Sequence, residues 1–145
     1  MNRPGGKVMN ENLKPGHRHT FSIIVTEDLT VPALLPQSPI FSEMPRVLAT
    51  GYFVGLIEWA CMEALQPFLG KDEGSVGTMI SVTHTSPTPP GMELYIDVTC
   101  TAVDGRRTVW EVEARDEKDP VGRGTHERFT VSWERFEKSL EEKTK

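Results

Sequence analysis

The chain has no apolar run approaching the ~20 residues that a membrane-spanning helix needs. Its opening stretch, Met1 to Gly16, is polar, carries Pro and Gly, and lacks the apolar core of a secretory leader. It has only two cysteines, too few for a disulfide framework. Cys61 falls in an apolar helical stretch and Cys100 in an alternating strand, so both read as small core residues in a reducing compartment. Positive charge is in the minority: 16 Lys and Arg stand against 21 Asp and Glu, a net charge of −5, which argues against a nucleic-acid surface. There is no phosphate-binding Gly-rich loop, no dinucleotide fingerprint, no Gly-x-Ser-x-Gly elbow and no Cys-x-x-Cys pair. Internal repeats and low-complexity segments are absent too. These absences leave a cytoplasmic domain over residues 17–145, preceded by a flexible lead-in over 1–16.

One more absence is local. No Lys or Arg occurs between Gly51 and Gly70, yet Glu58 sits in the middle of that apolar stretch. At helical spacing its neighbours are Val54, Gly55, Cys61 and Met62, none of which solvates a charge. Burying a carboxylate there costs several kcal/mol unless something compensates (roughly,). The acid therefore has a partner elsewhere in the fold, or it has a use.

The pattern along the chain predicts few elements. His17 to Thr26 alternates and reads as a strand. Pro32, Pro36, Pro39 and Pro45 then exclude a long helix and lay the chain over a surface, with Phe41 and Met44 placed to cover a pocket. A helix is expected from about Thr50 to Gln66, stopped by Pro67 and Gly70 and apolar nearly all round, hence buried. Strands follow over Val76–Ser86, Met92–Val103, Arg106–Arg115 and Val121–Ser132, and Trp133–Lys143 reads as a charged terminal helix or tail. One buried helix with one antiparallel sheet fits an α+β fold in which the sheet curls around the helix.

Several residues could carry chemistry. Gly51, Gly55, Glu58, Met62 and Leu65 share a helical stripe, and the two glycines beside the acid leave a groove that a ligand could enter. The structural alternative is a close approach of helix to sheet, with Glu58 bonded to backbone. Glu63 lies well round the helix and reads as the more exposed acid. His84 shares strand parity with Val76, Thr78, Ile80 and Val82, so it faces the helix, where it could meet Glu58 as an acid–base pair. Thr50 stands where an N-cap belongs, about 12 Å along the axis from Glu58. His17 and His19 share a strand face without a third ligand, so no metal site is expected. His126 lies opposite Phe129 and Val131 and reads as exposed, while Arg128 shares its parity and is either solvated or an anion contact.

Taken in order, these stretches resemble the fluoroacetyl-CoA thioesterase family of hotdog-fold proteins. The matching segments are Ser38-Pro39 to Phe41, Ala49-Thr-Gly, Val54-Gly-Leu-Ile-Glu-Trp-Ala-Cys61, Gly74-Ser-Val-Gly77, Val82-Thr-His-Thr85, Thr88-Pro-Pro-Gly91, Gly105-Arg-Arg107 and Gly124-Thr-His-Glu-Arg128. The resemblance implies a catalytic set of Thr50, Glu58 and His84, a substrate carbonyl at Gly77 and a substrate contact at Arg128. It also implies a lid in which Phe41 matches one aromatic, while Met44 replaces the second phenylalanine, a departure that bears on acyl selectivity only. The implied protein is an acyl-CoA thioesterase, homodimeric with interfacial sites, needing no cofactor because CoA is part of its substrate. The alternatives on the same fold are a non-catalytic acyl-CoA or small-acid binding module and an enoyl-CoA hydratase or dehydratase.

Overall fold

The alternating segments form five strands and the apolar segment forms the long helix in the computed structural model, which describes residues 10–145. In chain order these are β1 (Arg18–Ile24), the one-turn helices α1 (Val31–Leu34) and α2 (Pro39–Ser42), the long helix α3 (Thr50–Leu65), β2 (Glu73–Val82), β3 (Glu93–Asp104), β4 (Arg107–Asp116), β5 (Pro120–Ser132) and a terminal helix α4 (Trp133–Lys143). The strands make one antiparallel sheet in the order β1-β3-β4-β5-β2, so β1 and β2 are its edges. The expected α+β hotdog arrangement, a sheet with one long helix against it, is the one observed. Among the described residues no helix is long and apolar enough to cross a membrane.

The flexible lead-in expected over residues 1–16 lies, for positions 1–9, outside the described residues. The described part, from Asn10, is tied down by packing and hydrogen bonds. The Asn10 amide N–H donates to the Phe68 carbonyl, its side chain donates to the Gly105 carbonyl and accepts from the Thr130 hydroxyl, and Leu13 is buried.

Helix α3 buries Phe53, Leu56, Ile57, Ala60, Cys61, Ala64 and Leu65, a stripe at spacings of three and four. Each large apolar side chain in that stripe contributes about 1.5–3 kcal/mol. The other face is not covered: Trp59 is 48% and Met62 46% exposed, and Gly55 meets open space. Burial all round is therefore corrected to burial on one face, because a single sheet can shield only one side of a helix.

Strand facing needs two corrections. The β2–β5 register slips between Gly77 and Met79, where Thr78 makes a bulge. Before the bulge Ser75 and Gly77 oppose Thr130 and Arg128; beyond it Ile80 and Val82 oppose His126 and Gly124. The face expected to hold Val76, Thr78, Ile80, Val82 and His84 is thus right only beyond the bulge. On β5 the expected parity holds but the sides are reversed: His126, Arg128 and Thr130 are buried under the helix, while Phe129 is 39% exposed on the outer face. Phe129 and Phe136 of α4 line one shallow pocket on that outer face.

The loop before α3 is pinned by a buried carboxylate. Asp116 accepts from the Thr88 hydroxyl and from the backbone N–H groups of Lys118 and Asp119, each at 2.8 Å. The Thr88 carbonyl in turn accepts from the Leu48 N–H, two residues before the helix begins. Burial alone pushes the Asp116 carboxyl up, but its three donors together outweigh this and hold it below the ordinary 3.8. A depressed carboxylate stabilises the fold above its unfolded pKa, and that stability is lost as pH falls through the folded value. Asp116→Asn is expected to cost about 1.5–3 kcal/mol at neutral pH. In urea titrations the gap from the parent protein should close at strongly acidic pH, and an equal gap at both pH values would contradict this account.

Candidate active site

Two groups of polar side chains face α3, one at its start and one at its middle. At the start, the N-cap is Ala49 and not Thr50, which is the first helical residue. The Thr50 side chain is instead hydrogen-bonded to His84, with Oγ1 and Nδ1 2.8 Å apart. His84 follows β2 on a stretch fixed to β5 by the Thr83 N–H on the Arg123 carbonyl and the Thr85 N–H on the Val121 carbonyl. Its ring lies 4.8 Å from the fully buried ring of Phe53. Burial pushes this imidazole below its ordinary 6.5, so it is neutral at neutral pH. Its Nε2 is buried and has no hydrogen-bond partner among the described residues.

At mid-helix the partner required by the Glu58 charge comes from the sheet. Arg128, 3% exposed, donates from Nη1 to Glu58 Oε2 at 3.1 Å. The same guanidinium donates from Nε to the Ser75 hydroxyl at 2.7 Å, from Nη2 to the Ser75 carbonyl at 2.8 Å, and from Nη1 to His126 Nε2 at 3.2 Å. The other ring nitrogen of His126, Nδ1, donates to the Met79 carbonyl at 2.8 Å. Of the two readings its strand position left open, solvated or anion contact, Arg128 takes the second: it is a buried counter-ion whose anion is Glu58.

Glu58 itself is 40% exposed at its side chain, less sequestered than its apolar neighbours on the helix imply. It opens onto a cavity of ≈ 320 Å³ lined by Val54, Gly77, Thr78, Met79, Ile80 and His126. The missing side chain at Gly77 leaves the Glu58 carboxylate in place, since a Cβ there would come within 2.6 Å of Glu58 Oε2 and displace that flexible tip. The bulge at Thr78 brings the Met79 carbonyl to His126 while Gly77 stays against the carboxylate.

Glu58 and His84, expected to converge, do not meet within one protomer. Thr50 and Glu58 lie on one uninterrupted helix, ~12 Å apart along its axis. Gly77 and His84 are separated by roughly 20 Å of nearly extended chain. Helix and strand run so that Glu58 meets Gly77 and Thr50 meets His84. Phe41 lies on α2 and Met44 just beyond it, Met44 46% exposed, and neither lines the Glu58 cavity. Glu63 is taken up by His19 at 2.8 Å, and His17 bonds the Ala64 carbonyl at 3.2 Å. Cys61 and Cys100 are free and buried; burial drives the Cys61 thiol up to about 12, against the lowering effect of Arg128, so it is no nucleophile.

Ser75 and His126 are the two site residues that sequence reading missed. The available signal was the shared parity of His126 and Arg128: once the arginine is known to face the helix, the histidine must as well.

Comparison with known proteins places the chain in a family. Residues 25–134 match the family model for the fluoroacetyl-CoA-specific thioesterase. A fluoroacetyl-CoA thioesterase from Streptantibioticus cattleyicolor is 45% identical over 136 residues, covering 94% of this chain and 98% of that one. A solved structure of the fluoroacetyl-CoA thioesterase superposes with a TM-score of 0.90 at 44% identity, covering 93% of this chain and 100% of the other. A mutant of that fluoroacetyl-CoA-specific enzyme, solved with fluoroacetate and CoA, gives 0.84 at 47% identity, covering 86% and 99%. A thioesterase superfamily member from Thermus thermophilus, 24% identical with a TM-score of 0.82 over 92% and 95% of the chains, shares the fold.

Proposed function

Since this chain belongs to the fluoroacetyl-CoA-specific thioesterase family, we propose that it hydrolyses a small acyl-CoA to the free acid and CoA, with Glu58 as the reacting carboxylate. The observation that carries the assignment is the Glu58 carboxylate, fixed by buried Arg128 and laid against Gly77 at the mouth of a partly apolar cavity. A carboxylate held this way can attack a thioester carbonyl, or take a proton from the attacking water. Either route ends with water added across the C–S bond: hydroxyl to the acyl carbon, proton to the CoA sulfur. The Gly77 backbone N–H is the donor for the developing oxyanion, because the missing side chain lets a carbonyl approach the strand. His84, kept neutral by burial, moves the proton, and the Thr50 hydroxyl orients its ring. Arg128 acts on Glu58 and not on the substrate, since its donors are engaged inside the protein.

In this reading the working unit is a homodimer joined along β2, with Thr50 and His84 of one protomer facing Glu58 of the other. Three features support it: the separation of the two groups within a protomer, the 38% exposed apolar side chain of Ile80 on the edge strand β2, and the partnerless Nε2 of His84. Phe41 and Met44 then cover the acyl end of the site, and the flexible methionine in place of an aromatic admits acyl groups beyond fluoroacetyl.

A thiol-release assay over acetyl-, fluoroacetyl-, propionyl- and longer acyl-CoAs, run beside enoyl-CoA consumption, tests the reading. Release of CoA from short acyl chains is expected. Enoyl-CoA loss without thiol release, or binding without turnover, would reject it. Gly77→Ala probes the close approach of the strand to the Glu58 carboxylate. The protein should fold, because the displaced neighbour is the flexible tip of Glu58, but turnover should fall about 10²-fold from the misplaced carboxylate. Unchanged turnover with an unchanged thermal midpoint would remove Gly77 from the site.

A further inference from the structure

The geometry points to His126 as a positioning residue that sets the aim of Arg128 on Glu58 from a fixed, neutral Nδ1–H tautomer. This rests on Glu58 being the reacting carboxylate, but its first test does not need substrate. A carbonyl oxygen can only accept, so the 2.8 Å contact to the Met79 carbonyl requires a proton on Nδ1. On the other side, Nε2 faces Arg128 Nη1 at 3.2 Å, and a guanidinium nitrogen can only donate. Both contacts are satisfied by one arrangement alone: Nδ1–H to the carbonyl, and the Nε2 lone pair to the arginine. The imidazole thus bridges the backbone of the β2 bulge to the guanidinium that holds the reacting acid.

The surroundings keep it there. His126 is 2% exposed, between the cationic Arg128 and the acids Glu58 and Glu127. Burial pushes its pKa down; the Met79 carbonyl raises it and Arg128 lowers it again, with a net value below 6.5. Protonation at Nε2 would set two donors against each other and push the arginine off its line to Glu58. Because one Nη1 nitrogen serves both His126 Nε2 and Glu58 Oε2, losing the first acceptor frees the guanidinium to rotate about its Ser75 anchor.

Nitrogen-15 NMR of the imidazoles in the intact protein reads the tautomer directly. A protonated Nδ1 and an unprotonated Nε2 are expected at neutral pH, and the reverse pattern would overturn the assignment whatever the protein's activity. Three substitutions then separate positioning from mere support. His126→Gln can place a carbonyl oxygen near the Nε2 position and keep the Arg128 acceptor, so kcat should stay within about threefold of the parent. His126→Asn keeps only the reach to Met79, and His126→Phe keeps only volume; both should lose about ten- to thirtyfold in kcat with KM little changed. In an Arg128→Met background the Phe substitution should cost nothing further in kcat, since the route through the arginine is already cut. A near-parental Asn variant, a Gln variant as impaired as Phe, or fully additive losses would each sink the proposal. A parent protein that turns over no acyl-CoA would count against the thioesterase reading and leave the tautomer result standing.

Discussion

Glu58→Gln is expected to fold like the parent and to lose thioester turnover by about 10³-fold or more. The side-chain amide has the same shape, and its carbonyl oxygen can still accept from Arg128 Nη1, so the buried guanidinium is not stranded. What disappears is the negative charge that attacks or accepts a proton. The matched control is the thermal midpoint. A modest shift with turnover gone assigns the loss to chemistry, whereas near-normal turnover would mean that Glu58 only balances Arg128. Glu58→Ala is the less informative change, because it removes the acceptor as well and leaves a 3% exposed cation to find another partner.

His84→Ala should reduce turnover by about 10²–10⁴-fold if the imidazole carries the proton. In the parent, activity should fall on the acid side only below the ordinary imidazole value of 6.5, since burial lowers the His84 pKa. The sign is the same for stability: a buried neutral imidazole stabilises above its unfolded pKa, and the gain is lost as acid protonates the unfolded chain first. Mixing gives a sharper test. In the proposed interfacial arrangement the His84→Ala and Glu58→Gln proteins, each impaired alone, should regain activity when unfolded together and refolded, because each hybrid carries one site with both residues intact. No recovery, with hybrids demonstrated by mass, would place Glu58 and His84 in one protomer's site and defeat the interfacial arrangement.

Much of the fold was legible because it rests on local rules. Alternation in Phe21-Ser-Ile23 and in Leu94 to Cys100 marks strands whatever lies beside them, and Pro67 ends the helix by removing an N–H donor. The facing of β2 was legible only beyond Thr78. A bulge adds one residue and inverts parity, and nothing in Val76-Gly-Thr-Met announces it. The site was half legible. An uncompensated acid at position 58 required a partner, yet its partner is seventy residues away on β5, and only strand register brings Arg128 and His126 beneath it.

The residues themselves therefore determined the set of elements, the isolation of one carboxylate on an apolar helix, and the family to which the chain belongs. Those depend on side-chain chemistry and on periods of two and three to four residues. Only the folded chain decided which side of β5 is inside, that Arg128 is the counter-ion, and that Thr50–His84 and Glu58–Gly77 stand apart. Those depend on how helix and sheet are laid across each other, and a one-residue slip in register is enough to change them.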